Sequence, residues 1–275
     1  MRATSRSRPS RPGPADRMRV QELFDLTGRV AIVTGGATVL GRQIAEALAE
    51  CGADVVACAR NAERCEQAAA ELERLGVRTL GLGCDVREPA AIDAVVRRTV
   101  EALGRVDILV NNAGTSWGAA PEEVPLAGWQ KVLDVNLTGA FLFAQAVGRE
   151  LIRQGDGGKI INIASITAFQ GAPPEAMNAL PYNVSKGGLV ALTIDLAVKW
   201  ARHGICVNAI APGWFPSDMS ASVLERSGDD LVARIPLGRF GGPHDLKGAV
   251  AFLASPASDF VTGVTLPVDG GQLAG

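Results

Sequence analysis

The residues best suited to chemistry are Tyr182 and Lys186, which lie four positions apart in a predicted helix over residues 182–203. An i, i+4 spacing places both side chains on one helical face. A free phenol has a pKa near ~10 and exchanges protons poorly at neutral pH, but a nearby cation favours the phenolate and lowers that pKa. The pair therefore predicts general acid–base chemistry. Tyr182 is the only tyrosine, so no other phenol can take this role.

A second candidate is the glycine-rich segment 34–41, which joins a short β-branched run to a helical pattern. Glycines in such a turn let backbone amides and the helix N-terminus approach a pyrophosphate closely. The strand–turn–helix context favours dinucleotide binding, although a tight turn without a ligand is the alternative.

The elements that must position these residues alternate along the chain. Near-continuous apolar runs predict seven strands that are covered on both faces of a parallel sheet. Longer amphipathic stretches predict helices between them, and strict alternation predicts a single doubly wound α/β domain with helices on both faces of a seven-stranded parallel sheet. The predicted strands are 29–34, 54–59, 77–83, 106–111, 159–164, 205–210 and 264–268, and the predicted helices are 40–51, 63–75, 89–103, 129–154, 182–203 and 245–254.

Composition limits the partners. With 275 residues, 47% of them hydrophobic, the chain can form a full core. A net charge of −2 argues against a nucleic-acid partner.

No apolar run approaches the ~18 residues of a membrane helix, so a cytoplasmic protein is expected. The five cysteines form no CxxC motif or Cys/His cluster, so neither a disulfide framework nor a metal site is predicted. Residues 1–22 form an Arg/Pro-rich arm expected to be disordered, and 23–275 form the domain.

Taken together, the motifs resemble those of the short-chain dehydrogenase/reductase family over about residues 26–271. The segment 34–41 resembles the TGxxxGxG signature, with Val39 in the place of the middle glycine, and 111–114 (NNAG) resembles the family's strand-end motif. A β-branched residue rarely adopts positive φ, so we expect a negative φ at Val39 and weaker cofactor binding. The resemblance implies cofactor contacts from Gly35, Thr38, Leu40, Gly41, Asp85, Val86, Asn112, Ala113, Gly114, Tyr182, Lys186, Pro212, Gly213, Phe215 and Ser217.

The resemblance also implies catalytic roles. Ser165 is similar to the serine that orients and polarises the reacting carbonyl, although a hydroxyl at a strand end can instead cap the chain locally. Asn136 is similar to the asparagine that interrupts a helix and holds a water on the proton path to the lysine. Lys186 would also hold the nicotinamide ribose. Ser165 and Tyr182 are 17 residues apart, more than is usual in the family, so 173–178 should enlarge a loop over the substrate.

Cofactor choice follows from charge at the end of the second predicted strand. A carboxylate there pairs with a ribose 2′-hydroxyl, whereas an arginine suits a 2′-phosphate. Ala59 and Arg60 occupy this place, which favours NADP(H) over NAD(H). The alternative is that Arg60 only faces water.

The predicted activity is hydride transfer between NADP(H) and a ketone or secondary alcohol. Trp117, Phe169, Met177, Trp214, Phe215 and Met219 are candidates for an apolar pocket, which favours a hydrophobic ketone, and residues 214–236 are predicted to form a lid. The alternatives are a 3-oxoacyl-carrier-protein reductase, a gluconate or polyol dehydrogenase, and a non-catalytic dinucleotide-sensing regulator. By resemblance we expect a homo-oligomer, either a dimer or a tetramer.

Overall fold

A computed structural model of the chain describes residues 18–171 and 177–275. Residues 1–17, which are most of the predicted arm 1–22, and 172–176, which include most of the predicted loop 173–178, lie outside the described residues. At the end of the predicted arm, Glu22–Phe24 forms a 3-10 turn, and Leu26 just after it is buried.

Seven strands form one parallel sheet, which confirms the predicted fold class. The strands are β1 Val30–Thr34, β2 Asp54–Ala59, β3 Thr79–Gly83, β4 Ile108–Asn111, β5 Gly158–Ile163, β6 Ile205–Pro212 and β7 Thr265–Val268. Their order in the sheet is β3-β2-β1-β4-β5-β6-β7. The order reverses between β1 and β4, and ligands of such sheets bind beyond the carboxyl ends of the strands at this point.

Helices cover both faces of the sheet. They are α1 Val39–Glu50, α2 Ala62–Leu72, α3 Pro89–Leu103, α4 Leu126–Leu133, α5 Gly139–Gln154, α6 Leu180–Trp200, α7 Ala221–Ala233 and α8 Lys247–Ala254. Along β1, Val30 and Ile32 pack into one core with α3, α5 and α6, whereas Ala31 and Val33 pack into the other with α1 and α8. This alternation is the period of two expected for a strand buried on both sides.

One predicted helix is wrong as a continuous element. The segment 129–154 is divided into α4 and α5 by a π-helical turn over Asp134–Thr138. The fully buried Asn136 lies in this turn, where its side chain hydrogen-bonds the backbone of Thr115 instead of facing solvent. The wider turn thus brings a polar side chain from a helix to the edge of the sheet.

Candidate active site

A cleft of about 760 Å³ opens at the carboxyl ends of β1, β4, β5 and β6. Four of its walls come from distant parts of the sequence: the start of α1, the end of β4, the β5–α6 connection and the segment after β6. The predicted site residues that line it are Thr38, Leu40, Asn112, Gly114, Ser165, Tyr182, Lys186, Pro212, Gly213, Phe215 and Ser217. The other predicted site residues, Gly35, Gly41, Arg60, Asp85, Val86, Ala113 and Asn136, do not line it.

The single phenol of the chain lies in this cleft. Tyr182 is near the start of α6, and its phenol lies beside the hydroxyl of Ser165, which follows β5. Burial raises the pKa of Tyr182 above its ordinary value, and the neighbouring Ser165 hydroxyl opposes that rise. The expectation that the tyrosine pKa is lowered is therefore wrong for this structure, because loss of hydration outweighs the stabilisation of the phenolate. The phenol is protonated at neutral pH and can donate a proton.

Lys186 lies one turn further along α6 and is only 4% exposed. Its ammonium donates a hydrogen bond to the Ile163 carbonyl over 2.6 Å and lies 5.4 Å from the centre of the Tyr182 ring. Burial lowers the pKa of Lys186 to about 8. The side chain therefore remains mainly protonated at neutral pH and places a positive charge beside the phenol.

A buried network connects Asn136 to the tyrosine backbone. The Asn136 amide nitrogen donates to the Thr115 carbonyl over 2.9 Å and to the Ser185 hydroxyl over 2.9 Å. Ser185 in turn donates to the Tyr182 carbonyl over 2.7 Å. Ser185 is not among the predicted site residues, because no local sequence pattern indicates this link. The network fixes the first turn of α6, which carries the phenol.

The glycine-rich turn directly precedes α1 and packs against its first residues. A Cβ atom at Gly41 would lie 2.0 Å from the Gly35 carbonyl oxygen, so only glycine allows the helix to begin this close to the turn. The Thr38 hydroxyl caps the helix, accepting from the Gly41 N–H over 3.4 Å and donating to the Gly35 carbonyl over 2.7 Å.

This arrangement fits a dinucleotide. Val39 and Leu40, the first residues of α1, line the cleft, and N–H groups of a first helical turn have no intrahelical acceptor. Val39 has a negative φ, as expected, because all positive φ values among the described residues belong to glycines. A phosphate group could therefore lie against this helix end.

Charged side chains follow β2 and β3 on the outer side of the cleft. Arg60 is exposed directly after β2, and its charge contributes to lowering the pKa of Asp85. Asp85 pairs with Arg87 over 2.6 Å, and this hydrogen-bonded pair is the main reason that the pKa of Asp85 falls to about 2. Asp85, one of the predicted cofactor contacts, is thus already engaged by a neighbouring guanidinium.

The predicted apolar pocket is only partly correct. Met177, Trp214, Phe215 and Met219 line the cleft, but Trp117 and Phe169 do not. The Trp117 ring instead covers Gly128, where an added Cβ would lie 2.8 Å from the ring. The Lys131 ammonium lies over the same ring. Phe169 is half exposed. Polar side chains share the lining with the apolar ones, namely Ser116, Thr167, Asn178, Asp218, Ser220 and Arg226.

The segment predicted as a lid forms α7, which is kinked at Ser227. Before it, the Ser220 hydroxyl donates to the Phe215 carbonyl over 2.7 Å and lies 3.1 Å from the Ser217 hydroxyl. These serines define the loop between β6 and α7. Its residues Trp214 and Met219 form one wall of the cleft.

No group of three or more His, Cys, Asp or Glu side chains within residues 18–171 and 177–275 is arranged to hold a metal ion. No helix within them is both long enough and apolar enough to cross a membrane.

The sheet is doubly wound, and a helix start, a Tyr–Lys pair and a serine meet at one cleft. This arrangement defines the class of dinucleotide-dependent oxidoreductases. The sequence agrees, since residues 35–272 match the family model described as "Enoyl-(Acyl carrier protein) reductase". The chain belongs to the short-chain dehydrogenase/reductase family.

The chain is similar to dehydrogenases with several different names. The chain is 42% identical to the 2-dehydro-3-deoxy-D-gluconate 5-dehydrogenase of Escherichia coli (strain K12), covering 91% of this chain and 98% of that protein. It is 39% identical to the (2S)-[(R)-hydroxy(phenyl)methyl]succinyl-CoA dehydrogenase subunit BbsD of Thauera aromatica, covering 90% and 97%. A gluconate 5-dehydrogenase from Burkholderia cenocepacia J2315, solved with NADP and tartrate, is 38% identical with a TM-score of 0.88, covering 94% of this chain and 100% of that one.

Proposed function

We propose that the protein is an NADP(H)-linked dehydrogenase that interconverts a secondary alcohol and a ketone on a sugar acid of the gluconate type. The observation that carries this proposal is the meeting of the Tyr182 phenol, the Ser165 hydroxyl and the Lys186 ammonium at one cleft beside the start of α1.

Each group has a distinct role. A bound nicotinamide would supply hydride to the carbonyl carbon, or accept it in the reverse direction. Tyr182, which is protonated at neutral pH, donates its proton to the carbonyl oxygen in the reducing direction. Ser165 donates a hydrogen bond to that oxygen and orients it. The Lys186 charge stabilises the phenolate that remains, and the Asn136–Ser185 hydrogen bond holds the tyrosine backbone.

Two observations support NADP(H) as the cofactor. Arg60 is exposed after β2, where no carboxylate opposes a 2′-phosphate, and a guanidinium forms forked hydrogen bonds with phosphate. The Burkholderia cenocepacia relative was solved with NADP. We place the adenosine end of the cofactor at the carboxyl ends of β2 and β3 and its nicotinamide end near Pro212 and Gly213.

The cleft lining supports a polar substrate rather than the hydrophobic ketone expected from the sequence. Ser116, Asn178 and Arg226 line it together with the apolar side chains. Thr167 adds a buried hydroxyl without a hydrogen-bond partner among the described residues. A polyhydroxylated substrate can satisfy such groups, which are costly to leave unpaired.

We also propose a homo-oligomer, dimer or tetramer, in the cytoplasm. Ile194 and Val198 on α6 are 50% and 77% exposed, and Phe141 on α5 is 40% exposed. Large apolar side chains on two neighbouring helices are suited to an interface with a second copy.

The experiment that tests the function follows NADPH and NADH absorbance with the purified enzyme against a panel of 5-keto sugar acids, neutral keto sugars, hydrophobic ketones and 3-oxoacyl thioesters. We expect the highest kcat/KM with NADPH and a keto sugar acid. A preference for 3-oxoacyl thioesters would move the enzyme to the acyl-carrier reductases. Binding of NADPH without turnover of any compound would instead favour a dinucleotide-sensing regulator.

A further inference from the structure

We propose that Arg226 binds the carboxylate of the substrate and thereby selects sugar acids over neutral sugars. This inference rests on the proposed function. Arg226 lies on α7 and lines the same cleft as Tyr182 and Ser165. The next residue, Ser227, has non-helical backbone angles of φ −137° and ψ 21°, so α7 bends directly after the arginine.

The charges that line the cleft leave this role to Arg226. Of the described lining residues, three are charged: Lys186, Asp218 and Arg226. Lys186 is buried at the catalytic end, where its ammonium is held by the Ile163 carbonyl. Asp218 is negative and would repel an acid. Arg226 is exposed, and its guanidinium makes no hydrogen bond or ion pair with the described residues.

The position of Arg226 also suits the geometry of a sugar acid. In a 5-keto aldonate the carboxylate is several carbon atoms from the reacting carbonyl, so the two ends of the molecule contact different walls of the cleft. Ser165 and Tyr182 come from β5 and α6, whereas Arg226 comes from α7. A guanidinium is planar and pairs with a carboxylate through two parallel hydrogen bonds, which gives direction as well as attraction.

The experiment compares Arg226→Met with Arg226→Lys, wild type and Arg234→Met. Arg234 is exposed at the end of the same helix and does not line the cleft, so its variant removes the same charge from α7 without altering the lining. For each protein we would measure kcat and KM for 5-ketogluconate and for a neutral keto sugar, and the Kd for NADPH by fluorescence.

We expect Arg226→Met to raise the KM for 5-ketogluconate on the order of tenfold to a hundredfold, as for loss of a charge-assisted pair. Its kcat/KM for the neutral sugar, its Kd for NADPH and its thermal midpoint should match those of wild type. Arg226→Lys should recover part of the loss, and Arg234→Met should behave as wild type.

The inference is overturned if Arg226→Met keeps the wild-type KM for 5-ketogluconate, or if it loses acidic and neutral substrates equally. A weaker NADPH Kd would assign the guanidinium to the cofactor phosphates instead, which also overturns it. Failure of the proposed function looks different. In that case the wild-type enzyme itself would turn over no sugar acid, whatever residue occupies position 226.

Discussion

Buried charges are paired differently at the two ends of the strands, which we call the amino edge and the carboxyl edge of the sheet. At the amino edge, Asp107 is 4% exposed and accepts hydrogen bonds from the Val30 N–H and from the guanidinium groups of Arg29 and Arg105. Lys159, 8% exposed at the same edge, forms an ion pair with Asp259 over 2.9 Å. At the carboxyl edge, Lys186 is buried to a similar degree, but among the described residues its ammonium hydrogen-bonds only a neutral carbonyl.

This difference separates structural charge from functional charge. A buried charge is costly unless it is paired. At the amino edge, opposite charges within the chain offset that cost. At the carboxyl edge Lys186 has no carboxylate partner among the described residues, and burial lowers its pKa to about 8. The unpaired charge remains available to a phenolate and to a ligand.

The largest effect expected at the carboxyl edge is that of Tyr182→Phe. This change removes the proton donor and keeps the ring, so kcat should fall roughly 10²- to 10⁴-fold, the usual contribution of general acid–base catalysis. The Kd for NADPH should stay near the wild-type value. Steady-state kinetics and fluorescence titration measure the two quantities, and turnover within tenfold of wild type would refute the role of the phenol.

A smaller effect is expected for Arg60→Ala, which tests whether an exposed charge at the same edge serves the cofactor. Loss of a charge-assisted hydrogen bond should raise the Kd for NADPH about tenfold or more. The Kd for NADH, which lacks the 2′-phosphate, should not change. Arg74→Ala, at an exposed arginine beyond the far end of α2, is the matched control. Equal weakening of both cofactors, or of neither, would show that Arg60 only faces water.

The smallest effect is expected at Val39, where the glycine-rich turn departs from the family pattern. Val39 is 40% exposed at the first position of α1 and lines the cleft. Val39→Gly should allow closer approach of the pyrophosphate and lower the Kd for NADPH a few-fold, which is under about 1 kcal/mol. Val39→Ala should lie between the two. An unchanged or weaker Kd by calorimetry would reject close approach as the reason.

Local sequence was sufficient for the fold and for the prediction that Ser165, Tyr182 and Lys186 lie at one cleft. The seven apolar runs became the seven strands, because strands buried on both faces need continuous apolar residues. Tyr182 and Lys186 share a helical face because they are four residues apart.

Properties that depend on distant neighbours could not be predicted in this way. The pKa of Tyr182 rises because the folded chain buries the phenol, and burial is not visible in an i, i+4 spacing. Trp117 appeared suited to a pocket, yet it covers Gly128 because that glycine leaves room for the ring. The Asn136–Ser185 hydrogen bond joins residues 49 positions apart, for which no local pattern exists.

The central claim, that the Lys186 charge serves chemistry while the Lys159 charge serves stability, is tested by a change of each lysine to methionine. Lys186→Met removes a charge whose burial destabilises the folded protein. The pKa of Lys186 in the wild type, about 8, lies below the ordinary value of 10.5. The free-energy cost of burying the charge is therefore full below pH 8 and disappears towards pH 10.5.

The decisive measurement is kcat together with the thermal midpoint at pH 7 for both variants. We predict that Lys186→Met loses at least roughly 10²-fold in kcat while its midpoint stays within about 3 °C of wild type or rises. Lys159→Met should keep kcat but unfold at a lower temperature, because it removes both the hydrogen bond to the buried Ser258 hydroxyl and the ion pair with Asp259. A Lys186→Met enzyme that keeps its turnover and instead loses stability would contradict the account.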